Sequence, residues 1–317
     1  MTPREKGNKQ LRRLVASFAD SFDDLIYHYT SPAGLRGIID SGELWLTNTA
    51  FVNDTTEGIA LKKKTYLFKK GDLKNEFLQE AWDSFINKDS IEDNVYYMIS
   101  FSEKRNSLDQ WRAYGSYCIS FEAKELARRG FSLFGCVYPE YKIKEWILDK
   151  ASVPEWNGPY LDDQRRLMAA HELIYTASKK YKSFYYKSEQ EIRLIAVSHH
   201  SWGYPNSPGL YGKEPPIYFR DHPAYKVPIP YVKFFLSGDT ESNEQQYDGT
   251  GKTEQEIKAE KRNKEKEQKR ELLPIREIRI GPMPQQKEAE LACQILLTEK
   301  GYRDVEVIPS KIPYRGF

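Results

Sequence analysis

Three cysteines are too few and too scattered to staple a fold. Cys118, Cys136 and Cys293 are odd in number and lack the spacing of a disulfide framework or a metal knuckle, so they read as reduced structural thiols. Long apolar runs are missing as well. No stretch approaches the ~20 residues that a bilayer span requires, and the basic, polar Met1–Arg13 segment has no apolar core behind it, unlike a secretory signal. A soluble, cytoplasmic protein with no membrane partner is the expectation. Net charge is nearly absent: 48 Lys and Arg against 46 Asp and Glu leave +2. The overall field gives no reason to expect nucleic acid, although a local basic groove stays open.

Several catalytic signatures are also lacking. There is no Walker-type phosphate loop and no nucleophile elbow. His199 and His200 are adjacent, so on a strand they face opposite ways, and His171–Glu172 has no second histidine one helical turn on. No metal site is expected, and no internal repeat is evident.

What is present suits a folded protein. At 317 residues with 39% hydrophobic content, the chain buries a substantial core as one large domain or two modest ones. Residues 1–24 read as a polar leader with a short amphipathic helix, Leu11 to Phe22. The remainder, 25–317, reads as one α+β domain. Leu25–Thr30 is a strand, and Ser31 then caps a helix with Pro32 in its first turn and Gly42 as its stop. Glu43–Thr47 is the next strand. This unit puts His28 near a helix start, where free backbone N–H groups collect ligands. Asp54 or Thr55 reads as a helix cap with Glu57 closing the box, followed by a helical region from Ile59 to Asn87.

Val95–Ser102 is an apolar strand ending in Ser100 and Ser102, and Ser107–Gly115 is a short helix. Tyr117–Glu122 resumes the sheet. Gly130–Ile143 reads as strand-like pieces and Leu161–Tyr181 as a long amphipathic helix. Trp202–Pro230 reads as loop, and Val232–Leu236 as strand. About 237–272 is a charged, partly helical insertion that reads as a solvated excursion. Ile275–Pro282, Gln286–Lys300 and Val305–Ile308 close the chain as strand, helix and strand.

The stretch from Phe184 to Val197 is the most informative. On a strand, Glu189, Glu191 and Arg193 share one face, with the two carboxylates roughly 6.6 Å apart at ~3.3 Å per residue. One reading is an edge strand with a solvated, ion-paired face. The other is a carboxylate pair that stabilises a sugar cation and positions a nucleophile.

Taken together, several blocks resemble one family. Leu25–Pro32 with Gly37–Ile39 and Ser41–Trp45 looks like the opening of the bacterial domain-of-unknown-function family numbered 2971. Asn53–Asp54 with Glu57, Ser100–Ser102, Gln110–Gly115, Glu189–Leu194, Ile280–Pro282 and Ile312–Arg315 are similar to its later blocks, in the same order. That family is in turn similar to the ADP-ribosyltransferase fold, a split, twisted β-sandwich flanked by helices that binds NAD in a cleft.

The resemblance implies a role for each matched residue. His28 holds the NAD ribose, Tyr29 and Thr30 meet the nicotinamide amide through backbone groups, and Ser100 and Ser102 support the site. Glu191 grips the ribose 2-hydroxyl, and Glu189 orients or deprotonates the acceptor. Arg193 or Arg112 neutralises the pyrophosphate, and Trp111 and Tyr114 stack on a ring or pack in the core. The activity implied is NAD-dependent mono-ADP-ribosyl transfer to a macromolecular acceptor, a nucleic-acid base or a protein side chain. A bacterial toxin or phage-defence effector, with a neutralising partner protein, fits that class. The sequence here has Ser-Phe-Ser where the fold's motif is Ser-Thr-Ser, which leaves the acceptor class open. NAD hydrolysis, and a non-enzymatic nucleotide- or protein-binding module, are the alternatives.

Overall fold

The computed structural model describes residues 1–52, 60–69, 71–87, 96–128, 132–197, 216–222, 225–235 and 272–313. Asn53–Asp54 with Glu57, the His199–His200 pair, almost all of the charged insertion and Tyr314–Arg315 lie outside them.

The first unit forms as its capping residues dictate. Strand β1 is Leu25–Thr30, helix α2 is Pro32–Ser41 and strand β2 is Glu43–Asn48; helix α1, Pro3–Ala16, precedes them. The Ser31 hydroxyl accepts the Gly34 amide at 3.1 Å, and Gly42 ends the helix in the left-handed region at φ 63°, where glycine carries no Cβ penalty. Leu35, Ile38 and Ile39 turn inward.

Helices α3 (Glu76–Asn87), α4 (Leu108–Tyr114), α5 (Ala123–Arg128), α6 (Glu140–Lys150), α7 (Asp163–Lys180) and α8 (Gln286–Glu299) complete the helical set among the described residues. The further strands are β3 (Tyr96–Ser102), β4 (Tyr117–Glu122), β5 (Leu133–Gly135), β6 (Glu191–Val197), β7 (Ile217–His222), β8 (Tyr225–Phe235), β9 (Ile275–Ile280) and β10 (Glu306–Pro309). Hydrogen bonds join the ten into one open sheet in the order β10-β9-β4-β1-β3-β2-β8-β7, with β6 on β3 and β5 on β6. All pairings are antiparallel except β9 with β10. The chain is therefore α+β, built on a large, mostly antiparallel sheet.

Strand β3 sets the site. One of its edges pairs with β6 from Tyr96↔Val197 to Ser102↔Glu191. Its other edge is shared: β1 meets it at Tyr27↔Ser102, while β2 meets it at Thr47↔Met98 and Asn48↔Tyr97. Between these contacts Ile99, Ser100 and Phe101 have no strand partner on that edge, and the sheet splits.

Two cores flank the sheet. Ile26, Leu44, Leu46, Phe101, Ile119, Phe121, Ile192 and Leu194 pack with α2 and with Ala289, Cys293 and Leu297 of α8. A second cluster gathers α1, α3, α6 and α7 around Leu14, Phe18, Trp82, Phe85, Leu173 and Ile174. The leader segment is thus packed through Leu11, Leu14, Val15 and Phe18, each at most 5% exposed.

Several boundaries differ from the sequence expectation for local reasons. Helix α1 starts at Pro3 because Thr2 and Glu5 close a capping box. The region expected to be helical from Ile59 is so only from Glu76, because Gly71 takes φ 93° and Asn75 caps the Phe77 amide at 3.0 Å. Among the described residues, 132–143 hold the short β5 and an isolated bridge of Val137 to Tyr181 before α6, whose Ile143 and Ile147 are buried at helical spacing. Strands β7 and β8 occupy part of the expected loop. Pro228 and Pro230 obscured β8, but they lie outside its Tyr231–Phe235 stretch that pairs with β2, where a missing N–H would break a ladder bond.

Candidate active site

The late carboxylates do converge, by a different route from a continuous strand. Glu189 ends a 3-10 turn, Phe184–Glu189. Gln190 then adopts φ 44°, a left-handed conformation that a non-glycine residue holds at a cost of roughly 1 kcal/mol. Only at Glu191 does β6 begin. The kink is fixed from β3, where the Ser102 hydroxyl donates to the Glu189 carbonyl at 2.5 Å and the Glu103 amide to the Gln190 carbonyl at 2.9 Å.

Both side chains meet on Lys182, just past the end of α7. Its Nζ donates to Glu189 Oε2 and to Glu191 Oε2, each at 2.6 Å. Arg193 grips Glu191 in a fork, Nε to Oε1 at 3.0 Å and Nη2 to Oε2 at 2.9 Å, and its Nη1 donates to the Lys179 carbonyl. The Ser100 hydroxyl donates to Glu191 Oε1 at 2.5 Å, the Cys136 thiol to Oε2 at 3.5 Å. Two cations and two carboxylates thus balance in a buried network. Burial pushes the Glu191 carboxyl up, but the charges of Arg193 and Lys182 outweigh it and hold the group down at about 2. Burial also opposes the Lys182 charge; Glu191 overrides it and keeps the ammonium above the usual lysine range.

The sign of this shift fixes a pH dependence. The folded value of about 2 lies below the ordinary 4.5, so the stabilisation is whole above pH 4.5 and is lost as pH falls from there through 2. Urea denaturation at pH 5 and pH 2 is expected to show the wild type losing about 3 kcal/mol more than Glu191→Gln over that interval. Parallel losses in the two proteins would contradict the assignment.

His28 stands on β1, across β3 from Glu191. Its Nδ1 lies 2.8 Å from the Ser100 carbonyl, which only accepts, so Nδ1 carries the proton. Burial pushes the imidazole pKa down, with the Ser100 bond opposing, and the ring is neutral near pH 7. Nε2 is then an acceptor with no partner among the described residues. One residue of β3 therefore links the early histidine to the late glutamate, its carbonyl holding the first and its hydroxyl the second.

These groups border one cleft of about 690 Å³, within the range of sites for small molecules and cofactors. It is lined by His28, Tyr29 and Thr30 of β1, by Ser100 of β3, by Tyr114 of α4, and by Lys182, Glu189, Glu191 and Arg193. Trp45, Thr47 and Arg220 line it from the other half of the sheet. Gly115 lets α4 end against β1: at φ +129° an added Cβ would lie 2.6 Å from the Thr30 carbonyl. Tyr114 donates to Glu189 Oε1 at 3.2 Å.

Other expected site residues serve elsewhere. Tyr29 lines the cleft, where its backbone is the expected contact, while its side chain turns away, the hydroxyl donating to the Lys104 carbonyl at 2.7 Å and the ring meeting Trp111 edge-on at 4.7 Å. Trp111 is buried there, its indole N–H on Asn106 Oδ1 at 2.9 Å, so it packs and does not stack on a ligand. Ser102 supports the Gln190 kink. Arg112 is exposed and does not line the cleft. Arg193 is fully buried with its fork on Glu191, so neither arginine is placed to take a pyrophosphate. Lys182, Tyr138, whose hydroxyl accepts the Glu191 amide at 3.1 Å, and Arg220 were not foreseen.

Among the described residues no group of three His, Cys, Asp or Glu side chains could hold a metal, and no helix is long and apolar enough to cross a membrane. Fold and site together define an α+β protein whose split sheet carries a largely apolar cleft with ionised groups at one end. Comparison with protein-family models, curated proteins and solved structures gave no match.

Proposed function

We propose that this protein is an NAD-dependent mono-ADP-ribosyltransferase of the ADP-ribosyltransferase-like fold, akin to the domain family numbered 2971. The observation that carries the reading is the Ser100 bridge. A hydrogen-bond-accepting imidazole and a carboxylate ionised at neutral pH face one cleft at the point where a sheet divides.

The residues suit the substrate. A ribose hydroxyl is a donor, which His28 Nε2 accepts. Glu191 already takes four strong hydrogen bonds, and only one of them, from Ser100, is neutral. A ribose hydroxyl can replace the Ser100 hydroxyl at little cost, exchanging one O–H for another. The Glu191 charge then lies beside the sugar as the C1′–nicotinamide nitrogen bond breaks. The bonding electrons leave with nicotinamide, and positive charge grows on the ribose, as in glycoside cleavage. The acceptor's lone pair forms the new bond to C1′, and its proton passes to Glu189, which keeps lone pairs beyond those facing Tyr114 and Lys182.

The test uses NAD labelled in its adenylate portion, offered with nucleic-acid and protein acceptors, while nicotinamide is measured. Label on a macromolecule supports transfer, whereas free ADP-ribose alone assigns hydrolysis. No binding of NAD by calorimetry leaves a non-enzymatic module. His28→Ala is expected to weaken NAD binding about tenfold, the value of one hydrogen bond. The stability cost is about 1 kcal/mol, the net worth of the lost bond to the Ser100 carbonyl. Unchanged NAD affinity in that variant would remove the histidine from the site.

A further inference from the structure

Arg220 is the one cation lining the cleft that has no carboxylate, among the described residues. Lys182 holds Glu189 and Glu191 and Arg193 holds Glu191. At the cleft's edge, Lys233 pairs with Glu43 at 3.3 Å. Arg220 instead donates through Nη2 to Thr47 Oγ1 at 2.7 Å, and its guanidinium lies 5.7 Å from the centre of the Tyr231 ring. Its Nε is buried without a hydrogen-bond partner. The adjacent Asp221 also borders the cleft, but it is exposed and makes no ion pair with Arg220.

This arrangement is costly unless something completes it. A half-buried guanidinium loses hydration, and a neutral hydroxyl and a ring face return only part of it. Burial pulls the Arg220 pKa down, with Tyr231 opposing. The planar fork matches two oxygens of a phosphate. Its location adds a direction. Arg220 belongs to β7, on the far side of the split from Glu191, where the two cations are already spent on Glu189 and Glu191 and leave nothing to hold an anion.

We propose that Arg220 and Thr47 form an anion subsite that holds the phosphate or diphosphate group of the cleft's ligand. The subsite sets the ligand's polarity, with the sugar hydroxyls at His28 and Glu191 and the phosphates across the split. That the phosphates belong to a dinucleotide rests on the NAD reading; the anion subsite itself does not. The same chemistry would accept a nucleic-acid backbone, so the ligands tested must separate the two.

Calorimetry on the full chain with inorganic pyrophosphate, ADP-ribose, nicotinamide riboside and a short single-stranded oligonucleotide tests this. Wild-type protein is expected to bind pyrophosphate and ADP-ribose. Arg220→Gln is expected to weaken both at least 30-fold, leave nicotinamide riboside affinity within twofold, and keep or raise the melting temperature. Arg220→Lys retains the charge and is expected to lose five- to tenfold, which guards against a misfolded glutamine variant. An Arg220-dependent oligonucleotide signal without one for ADP-ribose would retain the anion subsite and assign it to nucleic acid. Arg220-dependent pyrophosphate binding with no NAD binding would retain the subsite and end the NAD reading. Equal pyrophosphate and ADP-ribose affinity in wild type and Arg220→Gln, or equal losses for all ligands with a lowered melting temperature, would overturn the subsite.

Discussion

Under the proposed reaction, exchanging Glu191 for glutamine is expected to slow nicotinamide release by roughly a thousandfold, a change of the size seen when one preorganised electrostatic group is removed. The amide keeps the shape and loses the charge. In the proposed reaction that charge acts because it is fixed beforehand, with the carboxyl held ionised by Arg193 and Lys182. The substitution also leaves those two cations with one carboxylate fewer, and breaking a buried pair costs about 3–5 kcal/mol. Rates are therefore to be compared per folded molecule, with the transition followed by denaturant. Glu189→Gln is the informative companion, since it too removes a partner of Lys182. It is expected to depress transfer to the acceptor more than it depresses nicotinamide release. A folded Glu191→Gln protein with wild-type turnover would take Glu191 out of the chemistry.

The second large effect is on stability and lies away from the cleft. Asp20→Ala is expected to destabilise the fold by about 3–5 kcal/mol, because it strands the Lys180 ammonium. Lys180 is 3% exposed. It pairs with Asp20, donates to the Gly135 carbonyl at 2.5 Å and lies over the Trp146 ring at 5.2 Å. The Asp20 carboxylate also receives the Gly135 amide at 2.9 Å and the Trp146 indole N–H at 3.2 Å. Burial already pulls the lysine's pKa down, with Asp20 opposing. Without Asp20 it falls further, so the gap between variant and wild type is expected to narrow as pH rises. Asp20→Ala with Lys180→Met is expected to recover much of the loss, since an apolar pair of similar shape needs no partner. Urea midpoints at two pH values decide it, and an Asp20→Ala midpoint near wild type at neutral pH would show that the pair carries little.

How much was readable in advance depended on whether the cause was local. The Ser31 cap, the Gly42 stop and the strands around His28 follow from neighbouring residues, and the sequence placed them. Ser100, His28 and Glu191 were foreseen through a resemblance, and the structure links them by hydrogen bonds. Lys182 was hidden because Lys179, Lys180 and Lys182 together look like a solvated helix end, yet all three are at most 5% exposed. The position of Glu189 depended on one backbone angle, at Gln190, which no alternation rule supplies. The Tyr29 side chain faces away from the cleft because strand parity sets it opposite His28, and Trp111 of α4 packs against its ring. Arg220 lay in a proline-rich stretch that concealed its strand.

A divided sheet leaves backbone groups facing empty space where a neighbouring chain would normally answer them. At Ser100 the answer comes from a side chain, so the imidazole of His28 acts as a surrogate rung across the gap. Its two nitrogens therefore have separate duties in the proposed function, one mending the ladder and one left for the visitor. An asparagine at this position would preserve the repair and forfeit the reception, which separates architecture from recognition within a single ring.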